Sequence, residues 1–149
     1  MEKEEKIIGA AFPIPKPLLK RILEEGKDVF VKPATLTRLK PGMKIIFYAS
    51  REDQGFYGEA EVESIELFEN PLKILEKYKD RIFLTEKEFK EYIKTSERWR
   101  TKGRRARPWI AVVLKNIKKY SKVVKPKRFI AVSGRYVKEK EYQEIQKQF

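Results

Sequence analysis

Leu39-Lys40-Pro41-Gly42-Met43-Lys44-Ile45-Ile46-Phe47-Tyr48, followed after a polar loop by Gly58-Glu59-Ala60-Glu61-Val62, is the part of this 149-residue chain that decides its fold. Leu39 to Gly42 makes a turn, because Pro41 presets φ and Gly42 accepts the conformation that must follow. It leads into Lys44 to Ser50, where Ile45, Ile46, Phe47 and Tyr48 are β-branched or aromatic and favour a pleated strand. Arg51 to Gly55 is a polar turn. Phe56 to Leu67 resumes as a strand with Ala60, Val62 and Ile65 facing inward, so the two segments read as a hairpin.

On the N-terminal side, Ile7 to Phe12 is an apolar run of strand length, closed by Pro13, Pro15 and Pro17. Pro17 suits the first turn of a helix; Leu18, Leu19, Ile22 and Leu23 then share one face until Gly26 stops it. Asp28 to Lys32 reads as a second strand. On the C-terminal side, Pro71 starts a helix carrying Leu72, Leu75 and Tyr78. Thr85-Glu86-Lys87-Glu88 has the form of a capping box opening a helix to Lys94. Thr101 to Pro108 is a loop, Trp109 to Leu114 a buried strand, Phe129 to Val132 another, and Ser133 to Tyr136 a turn. Glu139 to Gln148 is a terminal helix with Tyr142 and Ile145 inward. There is no internal repeat, low-complexity tract or linker. The expected architecture is α+β: one domain over 1–149, its first five residues a flexible tail, built as a small mixed sheet curled toward a barrel with helices at its ends.

Composition narrows the chemistry. A hydrophobic fraction of 41% supports a packed core. No apolar run approaches the roughly 20 residues that span a bilayer, and Met1 to Lys6 lacks the apolar centre of a signal peptide, so a cytoplasmic protein with no membrane partner is expected. Without Cys or His, disulfides, thiolate metal sites and the commonest general base are excluded, and no cofactor or metal is expected. Abundant Lys and Glu with few Asn and Gln resembles thermophile composition.

The charge is concentrated. Arg98 to Lys138 holds fifteen of the 35 basic residues and none of the 22 acidic ones, so the remaining residues are nearly neutral. Trp99, Trp109, Tyr120, Phe129 and Tyr136 are interleaved with that charge. Phosphates require fixed positive charge and unstacked bases require flat apolar faces, which points to nucleic acid and to RNA first. Arg100, Arg104, Arg105 and Arg107 crowd one loop, where guanidinium groups can grip phosphate bidentately; a solvated basic loop is the plainer reading. Trp99 sits among charges, where an exposed ring could stack on a base. Trp109 precedes Ile110-Ala111-Val112-Val113 and reads as core or cleft wall. Lys115, Lys118, Lys119, Lys122, Lys125, Lys127 and Arg128 read as edging two strands and their loop, where a solvated edge that discourages strand pairing explains many of them without RNA.

The hairpin from Leu36 to Glu63, with its Lys40-Pro41-Gly42 turn, apolar strand ending in Tyr48 and second strand opening near Gly58, resembles the central hairpin of the PUA-like superfamily, particularly its EVE and ASCH branches. The order of elements along almost the whole chain is similar too. Gly26 to Lys32 loosely resembles the ASCH Gly-x-Lys-x-x-Glu-x-Arg signature without its Glu, Met43 stands where EVE members have Asp, and the N-terminal Trp pattern of EVE proteins is absent. The chain thus resembles a divergent archaeal PUA-like family. That resemblance implies a pseudo-barrel binding RNA (tRNA, rRNA) or a modified nucleotide in a cleft. It makes Tyr48, Ser50 and Arg51 ligand candidates at a strand end, and places Phe30 and Lys32 on a strand bordering the cleft, though Phe30 fits core packing as well. Ser133, Gly134, Arg135 and Tyr136 join them by similarity to EVE-type pockets, with an ordinary turn as the alternative.

Three function classes follow. The favoured one is an RNA-binding module, with backbone phosphates on the basic C-terminal region and one base in the cleft. The second is a hydrolase acting on RNA or a modified nucleoside, as some ASCH-like proteins are; it would need Lys27 or Lys32 with a Thr and a carboxylate, or a metal held by Asp28, Glu52 and Asp53. The third is a basic protein for an acidic partner. The residues set no oligomeric state.

Overall fold

The computed structural model describes residues 7–34, 39–49, 54–98, 108–125 and 134–148. In chain order the elements are β1 (Ile7–Ile14), α1 (Lys16–Leu23), β2 (Val29–Pro33), β3 (Lys44–Ala49), β4 (Gly55–Phe68), α2 (Leu72–Tyr78), a 3-10 turn (Lys79–Arg81), α3 (Glu86–Arg98), β5 (Trp109–Val124), β6 (Arg135–Lys138) and α4 (Glu139–Gln146). They form a mixed six-stranded sheet in the order β2-β5-β4-β3-β1-β6. The β3–β4 pair is the expected antiparallel hairpin, with Ile45 opposite Ala60 and Phe47 opposite Gly58. β1 runs parallel to β3 from Gly9↔Lys44 to Ile14↔Ala49, which requires the long crossover that α1 and β2 occupy.

What curls the sheet is apolar closure between strands that are not neighbours. β1 and β2 are separated in the sheet by β3, β4 and β5. Even so, Phe12 of β1 and Phe30 of β2 pack with ring centroids 5.5 Å apart, and Phe30 continues to Phe83 at 5.2 Å. The main core around them takes Ile45 and Phe47 of β3, Ala60 and Val62 of β4, Leu19 and Ile22 of α1, Ile74 of α2 and Phe89 of α3. Burying each large side chain contributes about 1.5–3 kcal/mol, which is what bends the sheet against its preference for an open twist. On the other face, Ala11, Ile46, Phe56, Tyr120, Val124, Val137 and Ile145 form a second, smaller core covered by α4.

Three elements differ from the sequence reading. β5 does not stop at Leu114 but runs to Val124, its lysines exposed and only Tyr120 and Val124 buried beyond that point. Hydrophobic periodicity fails there because β4 and β5 continue as a paired ribbon whose backbone bonds, not apolar contacts, extend it. Asn116 at φ 51 lies beside register shifts in that ribbon, the conformation Asn tolerates at a bulge. Arg135 and Tyr136, expected in a turn, instead open β6 (Arg135–Lys138), which pairs with β1. In α2 the buried residues are Ile74 and Tyr78, while Leu72 is 44% exposed. The expected strand 129–132 lies outside the described residues. Pro13 is tolerated inside β1 because β6 pairs only as far as Ala11, leaving one strand neighbour at that point.

The capping box forms as expected. The Thr85 N–H donates to Glu88 Oε1 at 2.8 Å and the Glu88 N–H to Thr85 Oγ1 at 3.2 Å. Glu88 also binds the Arg21 guanidinium through both oxygens, tying α3 to α1, and Arg21 donates to the Phe83 carbonyl at 3.1 Å. The Arg21 bond, helped by the Thr85 N–H, lowers the Glu88 carboxyl from 4.5 to about 2. A depressed folded value stabilises the fold above the unfolded pKa and is lost as pH falls through the folded one. Melts between neutral pH and about pH 2 should therefore show an acid limb that Glu88→Gln flattens; an equally steep limb in the variant would remove this pair as its source.

Candidate functional site

The seam where the sheet curls closed is also where chemistry-bearing side chains collect. In β2, Phe30 and Lys32 alternate onto one face. Lys32 is only 5% exposed. Its ammonium sits 4.8 Å from the Phe12 ring centroid and donates to the Pro33 carbonyl at 3.2 Å. Burying an ammonium is costly unless it is compensated, and an aromatic face plus carbonyl oxygen is such compensation. The turn before β6 closes the same place: Gly134, at φ 82, brings its backbone onto the Phe12 ring. Tyr136, half-buried, stands opposite Ala10 and so shares the sheet face of Ala10 and Phe12. Phe12, Phe30, Lys32, Gly134 and Tyr136 are thus brought together from β1, β2 and β6.

Other expected site residues lie elsewhere. Trp109 is core: its ring packs against Phe89 at 5.6 Å and Tyr92 at 4.9 Å, and burial raises the Tyr92 hydroxyl to about 12. Tyr48 packs edge-on against Phe56 at 5.8 Å in the second core. Arg135 alternates to that same opposite face, where Nη1 donates to Glu141 Oε1 at 2.6 Å and Nη2 to Oε2, while its buried Nε has no partner among the described residues. Ser50, Arg51, Trp99, Arg100, Arg104, Arg105, Arg107 and Ser133 lie outside the described residues.

The stretch without acids in sequence is not without acids in space. Lys115 pairs with Glu61 of β4 at 3.1 Å and Lys119 with Glu24 of α1 at 2.6 Å. The acids come from strands and helices that local counting cannot see. Residues named for a hydrolytic reading are likewise engaged: Lys27 donates to the Asp80 carbonyl at 2.6 Å, and Asp28 receives Arg81 at 3.0 and 2.9 Å. Among the described residues no three His, Cys, Asp or Glu converge as metal ligands, and no helix is long and apolar enough to cross a membrane. A groove of about 670 Å³ is lined by residues of both signs, including Arg21, Lys27, Glu25 and Asp80, with Ile82, Phe83 and Leu84 among its apolar residues.

Two residues escaped the sequence reading. Phe12 was only the end of a strand, and its ring became the centre of the seam. Glu59 alternates with inward Ala60 and reads as solvent-facing, yet it is 5% exposed. Its Oε1 accepts from Tyr120 at 3.0 Å and Gln146 at 2.9 Å, its Oε2 from Tyr142 at 2.6 Å, and Lys44 lies 3.8 Å away.

The sequence model of the family described as "Domain of unknown function (DUF365)" matches residues 7–139. An uncharacterised protein of Methanocaldococcus jannaschii is 66% identical over 106 residues, which is 70% of this chain and 98% of that protein. The fold matches the crystal structure of ASCH from Zymomonas mobilis with a TM-score of 0.76 and 17% identity, covering 94% of each chain. It also matches a serine-to-alanine variant of that protein (TM-score 0.78, 16% identity, 97% of this chain and 98% of that one). The N-terminal domain of McrB from Staphylothermus marinus is similar at a TM-score of 0.60 and 20% identity, over 99% of this chain and all of that one (100%). The α+β, PUA-like architecture of ASCH proteins is therefore the fold of this chain.

Proposed function

The chain belongs to the DUF365 family, and from that premise together with its ASCH-type fold we propose that it is an RNA-binding protein that accepts one unstacked or modified base at the seam between β1, β2 and β6. The observation that carries this reading is the Lys32 ammonium on the Phe12 ring beside the Gly134 turn. An ammonium anchored on an aromatic face presents donors to the oxygen and nitrogen acceptors of a base edge. The half-buried Tyr136 offers a ring for stacking, and a glycine turn lets backbone N–H groups come close to a ligand. The net charge of +13 supplies a sequence-independent attraction to phosphate. Arg100, Arg104, Arg105 and Arg107, with Trp99, Ser50, Arg51 and Ser133, belong to this proposal as further RNA contacts.

The test is fluorescence anisotropy with labelled single-stranded and structured RNAs over a salt series. Binding is expected to weaken linearly in log K against log salt. Lys32→Met, which keeps the stem and removes the charge, should lower affinity about tenfold or more, the worth of a charge-assisted hydrogen bond. RNA affinity that is absent at low salt, or undiminished in a folded Lys32→Met, sinks the assignment.

A further inference from the structure

We propose that the recess between α1 and the lysine-bearing half of β5 is a second contact surface, one that holds the sugar–phosphate backbone of single-stranded RNA next to the nucleotide bound at the seam. This rests on the RNA-binding reading above. The recess encloses about 300 Å³, the lower end of the size range of small-ligand sites and enough for roughly one nucleotide unit. Lys16 and Lys20, four apart and so on one face of α1, line it together with Lys119 of β5 and Tyr57 of β4. The Lys16 ammonium stands 5.6 Å from the Tyr57 ring centroid. Of the described residues lining the recess, Glu24 is the one carboxylate, and Lys119 holds it at 2.6 Å. The recess therefore carries three cations against one anion and favours a polyanion.

Its walls are fixed by packing. A Cβ on Gly58 would come within 2.6 Å of both Leu23 Cδ2 and the Lys118 carbonyl oxygen, so α1 lies directly on the β4–β5 ribbon at that point. The lysines are thereby held at a set separation. Lys16 follows Phe12 by four residues, so its Cα lies at most about 14 Å from that of Phe12. A strand with a base at the seam has its adjoining phosphates within reach of α1. The N-terminal helix, unremarkable in charge when read along the sequence, then contributes to backbone binding beside the basic C-terminal region.

The experiment compares the parent chain, Lys16→Ala/Lys20→Ala and Lys32→Met in binding a mixed-sequence single-stranded RNA between about 50 and 200 mM salt. Both α1 lysines are surface residues, and a thermal midpoint matching the parent confirms that the double variant folds. The expected result is a decrease of about 1.4 in the slope of log K against log salt, the value for two single-strand phosphate contacts, uniform across RNA sequences. Lys32→Met should instead lower affinity and base preference with a smaller change of slope. An unchanged slope in the double variant, with salt-dependent binding in the parent, overturns the recess and leaves the seam reading intact. No RNA binding by the parent overturns both. Loss of polyglutamate binding with RNA binding unchanged assigns the recess to an acidic protein and overturns the proposal.

Discussion

Gly134→Ala is expected to destabilise the fold by about 2–5 kcal/mol and to abolish base preference in RNA binding while leaving the salt dependence close to that of the parent. The added Cβ would stand 2.4 Å from Phe12 Cδ1 and 2.7 Å from the Ala11 carbonyl oxygen. Neither can yield easily: Phe12 is 1% exposed and packed on Phe30, and Ala11 is held by its pairing with Arg135 and Ile46. The φ of 82 adds the strain of an L-residue in left-handed space, about 1–2 kcal/mol. Relief must come from the turn lifting off Phe12, which displaces the ring under Lys32. Chemical denaturation and anisotropy across several RNA sequences measure the two effects. A variant with parental stability would show that the turn does not rest on Phe12, and retained base preference would place the selective site elsewhere.

Glu59→Ala is expected to cost ~3 kcal/mol or more, a fall in Tm of about 6–12 °C, with the loss centred on α4. The carboxylate accepts hydrogen bonds from Tyr120, Tyr142 and Gln146, two of which come from α4. Removing it strands those donors between the ribbon and the helix. Glu59→Gln keeps one acceptor oxygen but adds donors facing donors, so it should fall between parent and Ala. Hydrogen exchange should report early opening of α4 in the Ala variant; uniform destabilisation without it would mean that Glu59 does not dock the helix. The same cluster sets an alkaline limit. Burial, reinforced by the Glu59 charge, raises the hydroxyls of Tyr120 and Tyr142 above the ordinary tyrosine value. A raised folded value gives stability that is present below the unfolded pKa of about 10 and lost as pH climbs beyond it. Removing Glu59 should make that alkaline decline shallower.

Local chemistry determined a large part of this molecule. The hairpin from Lys44 to Leu67 was legible because its turn residues and its β-branched and aromatic run agree with one another. The capping box at Thr85 and Glu88 and the inward Ile145 followed from spacing alone. The net positive charge of +13 was likewise legible, since it is a property of composition. What sequence could not supply was pairing across distance. β5 beyond Leu114 carries Lys, Asn or Ser at six of its ten positions and is a strand because β4 lies alongside it. β6 exists only because β1 is exposed to it. The seam joins Phe12, Phe30, Lys32 and Gly134, residues up to 122 positions apart, through curvature that apolar burial imposes on the whole sheet. Charge balance has the same origin. Whether Lys115, Lys119 and Arg135 are free for a ligand depends on Glu61, Glu24 and Glu141. Two of those three acids lie far away in the chain, and coulombic attraction acts through space.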